Sequence, residues 1–139
     1  MPDEYYSVKS FIEELAKKAA GEGRTEAFET AFSDDALKAA GIDTNGPELK
    51  RIDAAIILHI YMKEVAGIPD LKDIGKASVL RDLYDCRKCV NHIAQVYLRG
   101  LIKAVEYPAG EGSSILLFDA QKVTGKSDVF LGEQAFYVV

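Results

Sequence analysis

A mainly α-helical, compact single domain with one short β element is what the sequence predicts, and three observations predict it. Apolar residues recur at three- and four-residue intervals over 5–20, 48–66 and 89–99, the period of a helix with one buried face. Each of these stretches runs into a glycine, at Gly21, Gly67 and Gly100, the residue best suited to end a helix. Only SILLFDA, at 114–120, has the alternation-free apolar character of a short strand.

In chain order, Val8, Phe11, Ile12, Leu15, Ala16 and Ala19 form one apolar stripe, and Lys17, Lys18 and Gly21 supply the end of that helix. Residues 25–40 divide into two short helices, the first opened by Thr25 and the second by Ser33 with two aspartates behind it. DTNGP at 43–47 is turn chemistry, and Pro47 fits the first position of the helix over 48–66. That helix is apolar nearly all round (Ile52, Ala54, Ala55, Ile57, Leu58 and Met62 among others), which predicts a central, covered element with His59 in its apolar stripe. A loop over 68–76 precedes the helix around 89–99. YPAGEGSS is a further loop, and SDVFLGEQAFYVV is read as helix, although its VFL and AFYVV suit a strand as well.

Composition bounds the function. Apolar residues make up 48% and charged residues 28%, enough to build a core and too little charge for disorder. The net charge of −5 repels phosphate backbones, so nucleic acid is not an expected partner. No apolar run approaches the roughly 20 residues of a membrane span. MPDEYYSVKSF has neither the basic nor the apolar region of a secretion signal, which leaves a cytoplasmic protein or a mature or excised surface module. No nucleophile elbow, phosphate loop, zinc-protease or dinucleotide motif occurs, so neither an enzyme nor a cofactor is expected.

The stretch DLYDCRKCVNHIAQVYLRGLI (82–102) contains both cysteines and His92 in a C-x-x-C-x-x-H spacing. A structural zinc needs four ligands; Cys86, Cys89 and His92 give three, with Asp82 or Asp85 as a fourth. A redox C-x-x-C is expected at a helix start following a strand, and DLYD is no strand. The simpler reading is packing: Val90, Ile93, Ala94, Tyr97 and Leu101 share a helix face that Cys86 and Cys89 extend backward as small buried thiols, with His92 at its edge and no metal.

The same stretch resembles a surface-layer homology (SLH) module. Leu80-Arg81-Asp82-Leu83, then Ile93, then Gly100-Leu101-Ile102 match the family's F-x-D opening, spaced Ile and G-I-I ending; GEG at 110–112, Phe118 and Val123-Thr124 follow in the family's order. An earlier, more degenerate copy runs from Phe32-Ser33-Asp34 through Gly41-Ile42 to Leu49-Lys50-Arg51-Ile52-Asp53, similar to the family's I-T-R-A-E element. The resemblance divides the chain into an extra N-terminal helical segment (1–31) and two SLH-like repeats (32–79 and 80–139) of helix–loop–helix form.

What the resemblance implies is a non-catalytic module attached to a bacterial cell-wall polysaccharide, or docked to a partner protein within a surface assembly, hence a cell-surface location. The ligand-binding residues it implies are Lys50, Arg51 and Asp53, with Thr124 and Lys126 from the second copy. An arginine at a helix start with free N–H groups suits an anionic sugar. The family's tryptophan is absent, its place falling near Lys88, and Gly125 stands where the second copy's arginine belongs. Two alternatives stay open: a cytoplasmic helical protein with a Cys/His metal site, and a dockerin-like interaction module whose calcium loop would use Asp43, Asn45 and Asp53.

Overall fold

The computed structural model describes residues 4–131. Five α-helices and one two-stranded antiparallel sheet make up its regular structure, joined by 3₁₀ turns. Helix α1 (Val8–Gly21) starts at Ser7, whose hydroxyl accepts the Ser10 N–H while the Ser10 hydroxyl accepts the Ser7 N–H. Its buried residues, Val8, Phe11, Leu15 and Ala19, are the expected stripe. Helices α2 (Thr25–Ala31) and α3 (Asp34–Ala39) follow, with Ser33 capping α3 through the Ala36 N–H. Thr25 is the first residue of α2 and not its cap, which falls at Arg24.

Three helix ends use one device: past α1 it is Gly23 at φ +71°, its N–H on Ala20 O and that of the polar Arg24 on Ala19 O, and at the other two the residue after the glycine is apolar. Past α3, Gly41 at φ +78° lets its own N–H reach the Lys38 carbonyl and the Ile42 N–H reach that of Leu37. Past α5 (Val90–Leu98), Gly100 at φ +73° does the same, its N–H reaching Tyr97 and that of Leu101 reaching Val96. All three are glycine C-caps, the last two sealed by a buried apolar residue at the following position.

The central helix departs from expectation at both ends. Helix α4 (Arg51–Ile60) begins four residues after Pro47, because Leu49 and Lys50 are extended. Leu49 donates to Tyr6 O and accepts from the Thr124 N–H, and Lys50 forms an antiparallel bridge with Val123. At its other end α4 widens into a π-turn over Tyr61–Val65, closed by the Ala66 N–H on Tyr61 O. The widened turn holds Tyr61, Met62 and Val65 all inside.

Strand β2 (Ser114–Leu117) lies within the expected segment. Its partner β1 (Val105–Pro108), paired from Val105 opposite Leu117 to Pro108 opposite Ser114, was not expected. The last described stretch forms a 3₁₀ turn at Lys126–Asp128 and then runs extended, Val129 bridging Ile102. The expected helix over 127–139 therefore fails over 129–131, and its remainder lies outside the described residues. One apolar cluster, from Tyr6 to Phe118, unites all five helices, so residues 32–79 and 80–131 share a core.

Candidate functional site

The five residues implied as ligand-binding come together, but not as a ligand site. Residues 49–51 and 122–124 pair edge to edge: the Arg51 N–H donates to Lys122 O at 2.9 Å and that of Ile52 to Ala120 O at 3.0 Å. The first N–H groups of α4, expected to be free for an anion, are occupied by this loop. Arg51 itself is fully buried. Its Nε–H donates to Phe118 O at 2.7 Å, Nη2 donates to Lys103 O, and Nη1 lies 3.2 Å from Asp128 Oδ2 in an ion pair. The guanidinium also sits 5.0 Å above the Phe118 ring. Burial pulls its pKa down, opposed by the charges of Asp128, Asp119 and Asp82. Arg51 is thus a buried clamp, a correction to its expected exposed role.

Thr124 is also fully buried, with no hydrogen-bond partner for Oγ1 among the described residues, and is likewise no surface ligand. Asp53 is half-buried, its carboxyl pKa raised by burial against the pull of Lys50. Lys50 and Lys126 remain exposed: Lys50 donates to Gln121 Oε1 at 3.1 Å, and Lys126 lies 3.3 Å from Glu4 Oε2 and 5.4 Å over the Tyr6 ring.

The cysteines are not free. Cys86 and Cys89 form a disulfide, and both are half-buried at the entry to α5. His92 turns to another partner, and Asp82 is committed: Oδ1 accepts the Phe118 N–H at 2.7 Å and Oδ2 the Asp119 N–H at 2.8 Å. Among the described residues no three His, Cys, Asp or Glu side chains are placed to hold a metal ion. This corrects the C-x-x-C-x-x-H reading and the dockerin-like set; Asp43 Oδ1 accepts the Asn45 N–H within its own turn, and Asp53 lies in α4.

Both histidines of the chain meet instead. His59 Nδ1 lies 2.8 Å from His92 Nδ1, and His59 Nε2 lies 2.6 Å from Asp70 Oδ1. One proton serves the two facing nitrogens, the ring that carries it donating and the other accepting. Asn91 Nδ2 donates to Asp70 Oδ2 at 3.0 Å, and Lys63 stands 3.7 Å from the same oxygen. Burial, then the charge of His59, lowers the His92 pKa, with Asp70 opposing and Lys63 reinforcing. Burial works to raise the Asp70 pKa, but hydrogen bonds from His59 and Asn91 and the charges of His59 and Lys63 bring it below its ordinary value.

Beside this network, Gln95 exchanges hydrogen bonds with both backbone groups of Leu71, and Arg99 Nη2 donates to Pro69 O at 2.8 Å. The assembly latches the 69–71 loop onto α4 and α5. Neither histidine lines the clefts described below. The signal for it was present in sequence: Asn91, Gln95 and Arg99 fall four residues apart on an otherwise apolar helix.

The latched loop borders the first of two adjoining clefts beside α5. One, of about 450 Å³, is lined by Leu71, Lys72, Asp73, Lys76 and Leu98. The other, of about 420 Å³, shares Lys76 and Leu98 and adds Tyr97, Ile102 and Lys103. Together they present three lysines, one acid and a half-buried tyrosine ring, a basic groove on an acidic protein. No family model, curated protein or solved structure matches this chain.

Proposed function

We propose that the chain is a non-catalytic binding module of two degenerate SLH-like units that attaches to an anionic cell-wall polysaccharide at the bacterial surface. The observation that carries this reading is the basic groove of Lys72, Lys76, Lys103 and Tyr97. Lysines on an apolar floor beside an aromatic ring offer charge to acidic groups and a stacking face to sugar rings.

The residues first implied take different parts. Arg51 is a positioning residue: its hydrogen bond to Lys103 O fixes the backbone that carries one of the groove lysines. Lys50 and Lys126 add exposed positive charge elsewhere on the surface, while Thr124 is buried and Asp53 half-buried.

The test is titration of the protein with isolated acidic wall polysaccharide and with the same polysaccharide after amidation of its carboxyl groups. Binding to the acidic form only is expected, with Lys76→Glu weakening it about tenfold, or ~1.4 kcal/mol. Equal binding of both forms, or unaltered binding by Lys76→Glu, refutes the assignment.

A further inference from the structure

The disulfide sits where a structural bridge has little to do. Cys86 and Cys89 are three residues apart, so the bond closes one turn and ties together no distant parts of the chain. So short a loop withdraws little entropy from the unfolded state. The disulfide also lies at a helix start. Cys86, extended at φ −124°, ψ 104°, caps a 3₁₀ turn over Arg87–Cys89 that runs directly into α5. Residues 87–98 are thus one continuous helical run with Cys86 at its head and Cys89 inside its first turn, where the N-terminal end of a helix favours a thiolate.

Access is present as well. Cys86 lines a cleft of about 300 Å³ whose other walls include Asp85, Ile93 and Gln121. Arg87 and Lys88, exposed between the cysteines, add positive charge to the turn. Asp82, Asp85 and Asp119 on the cleft oppose it, the Asp82 carboxylate being held by two backbone N–H donors.

We propose that Cys86–Cys89 is an exchangeable disulfide that oxidises a dithiol partner, with Cys86 as the sulfur attacked. A partner thiolate enters the cleft and bonds to Cys86 Sγ. The Cys86–Cys89 bond breaks, and Cys89 leaves as a thiolate in the first turn of the helix and takes up the proton given up by the partner's thiol. The partner's second thiol loses its proton and attacks the partner sulfur of the mixed disulfide. The partner disulfide forms and the Cys86 thiolate is released and protonated. Two electrons pass from the dithiol to the protein, and atoms balance. The reduced pair keeps the same helix start, so both redox states retain the fold.

Dithiothreitol is the probe. The native full chain is incubated with it, quenched by acid at intervals, alkylated and weighed by mass spectrometry, with the protein in denaturant as reference. Reduction of the native chain within about threefold of the reference rate is expected, with unchanged far-ultraviolet circular dichroism. Native reduction a hundredfold slower than the reference overturns the proposal, since it marks a bond that opens only on unfolding. Direction is read from Cys89→Ser and Cys86→Ser, each checked for native helicity. The lone Cys86 thiol is expected to react with iodoacetamide at pH 7 at least tenfold faster than the lone Cys89 thiol. Equal or reversed rates overturn the assignment of Cys86 as the attacked sulfur.

Discussion

Replacing Arg51 with methionine keeps the length of the side chain and removes its charge and every N–H donor. The fully buried guanidinium serves the carbonyls of Phe118 and Lys103 and the Asp128 carboxylate. Leaving two buried carbonyls without this donor costs about 1–3 kcal/mol each. Asp128, about one-fifth exposed, recovers part of its loss from water, and the methionine is spared the desolvation of a cation. The net expectation is destabilisation by ~3–4 kcal/mol, against ~0.5 kcal/mol for an ordinary surface substitution. Urea unfolding followed by circular dichroism gives the number; with a slope of roughly 2 kcal/mol per molar, the midpoint falls by ~1.5–2 M. Arg51→Lys, which keeps the charge but lacks the fork that reaches three acceptors, falls between. A methionine variant within ~1 kcal/mol of wild type would show the buried clamp to be wrong.

Two further outcomes follow from the same geometry. The folded pKa of His92 lies below its unfolded value of about 6.5, so the unfolded chain takes up a proton first. Stability is therefore complete above that pH and falls as pH drops through it. The urea midpoint should decline from pH 7.5 to pH 5.5 in wild type and decline less in His92→Gln; equal slopes in the two proteins would remove His92 as the cause. Thr124→Val should be neutral or stabilising by up to ~1 kcal/mol in thermal unfolding, because the buried hydroxyl it replaces has no partner among the described residues. A loss of ~1.5 kcal/mol or more would mean that the hydroxyl is hydrogen-bonded.

Local signals in the sequence located the elements that local physics makes. Ser33 and the glycines at 41 and 100 act within a few residues of themselves, and α1, α3 and α5 follow the reading closely. Pro47 misled for a non-local reason: Leu49 and Lys50 are drawn into extended pairing with residues 123–124, and a helix cannot begin until Arg51. Strand β1 was missed because four residues ending in Pro108 carry little signal without the facing β2. Arg51 looked like surface because charged side chains are almost never fully buried unless paired, and its partners lie 52 and 67 residues away. His59 lies buried in the apolar stripe where the sequence puts it, yet neither Asp70 nor His92 could be named as its partner from spacing. The basic groove had no signature at all, its lysines being scattered from 72 to 103.

The ribbon of residues 122–130 holds Glu4 and Tyr6 at the start of the chain, Leu49 to Arg51 in its middle and Leu101 to Lys103 near its end. This has a consequence for how the protein comes into being. The 71 residues from Lys50 to Gln121 take the ribosome roughly 4–14 s to make at ordinary elongation rates. Through that interval α4 lacks the carbonyls that close its first turn, and Arg51 has no Phe118 or Asp128 to meet. The nascent first half must wait, apolar faces uncovered, for a segment not yet translated. Completion should then come in one concerted step when the ribbon emerges, and a chain truncated before residue 122 is a client for chaperones, not a smaller version of the same module.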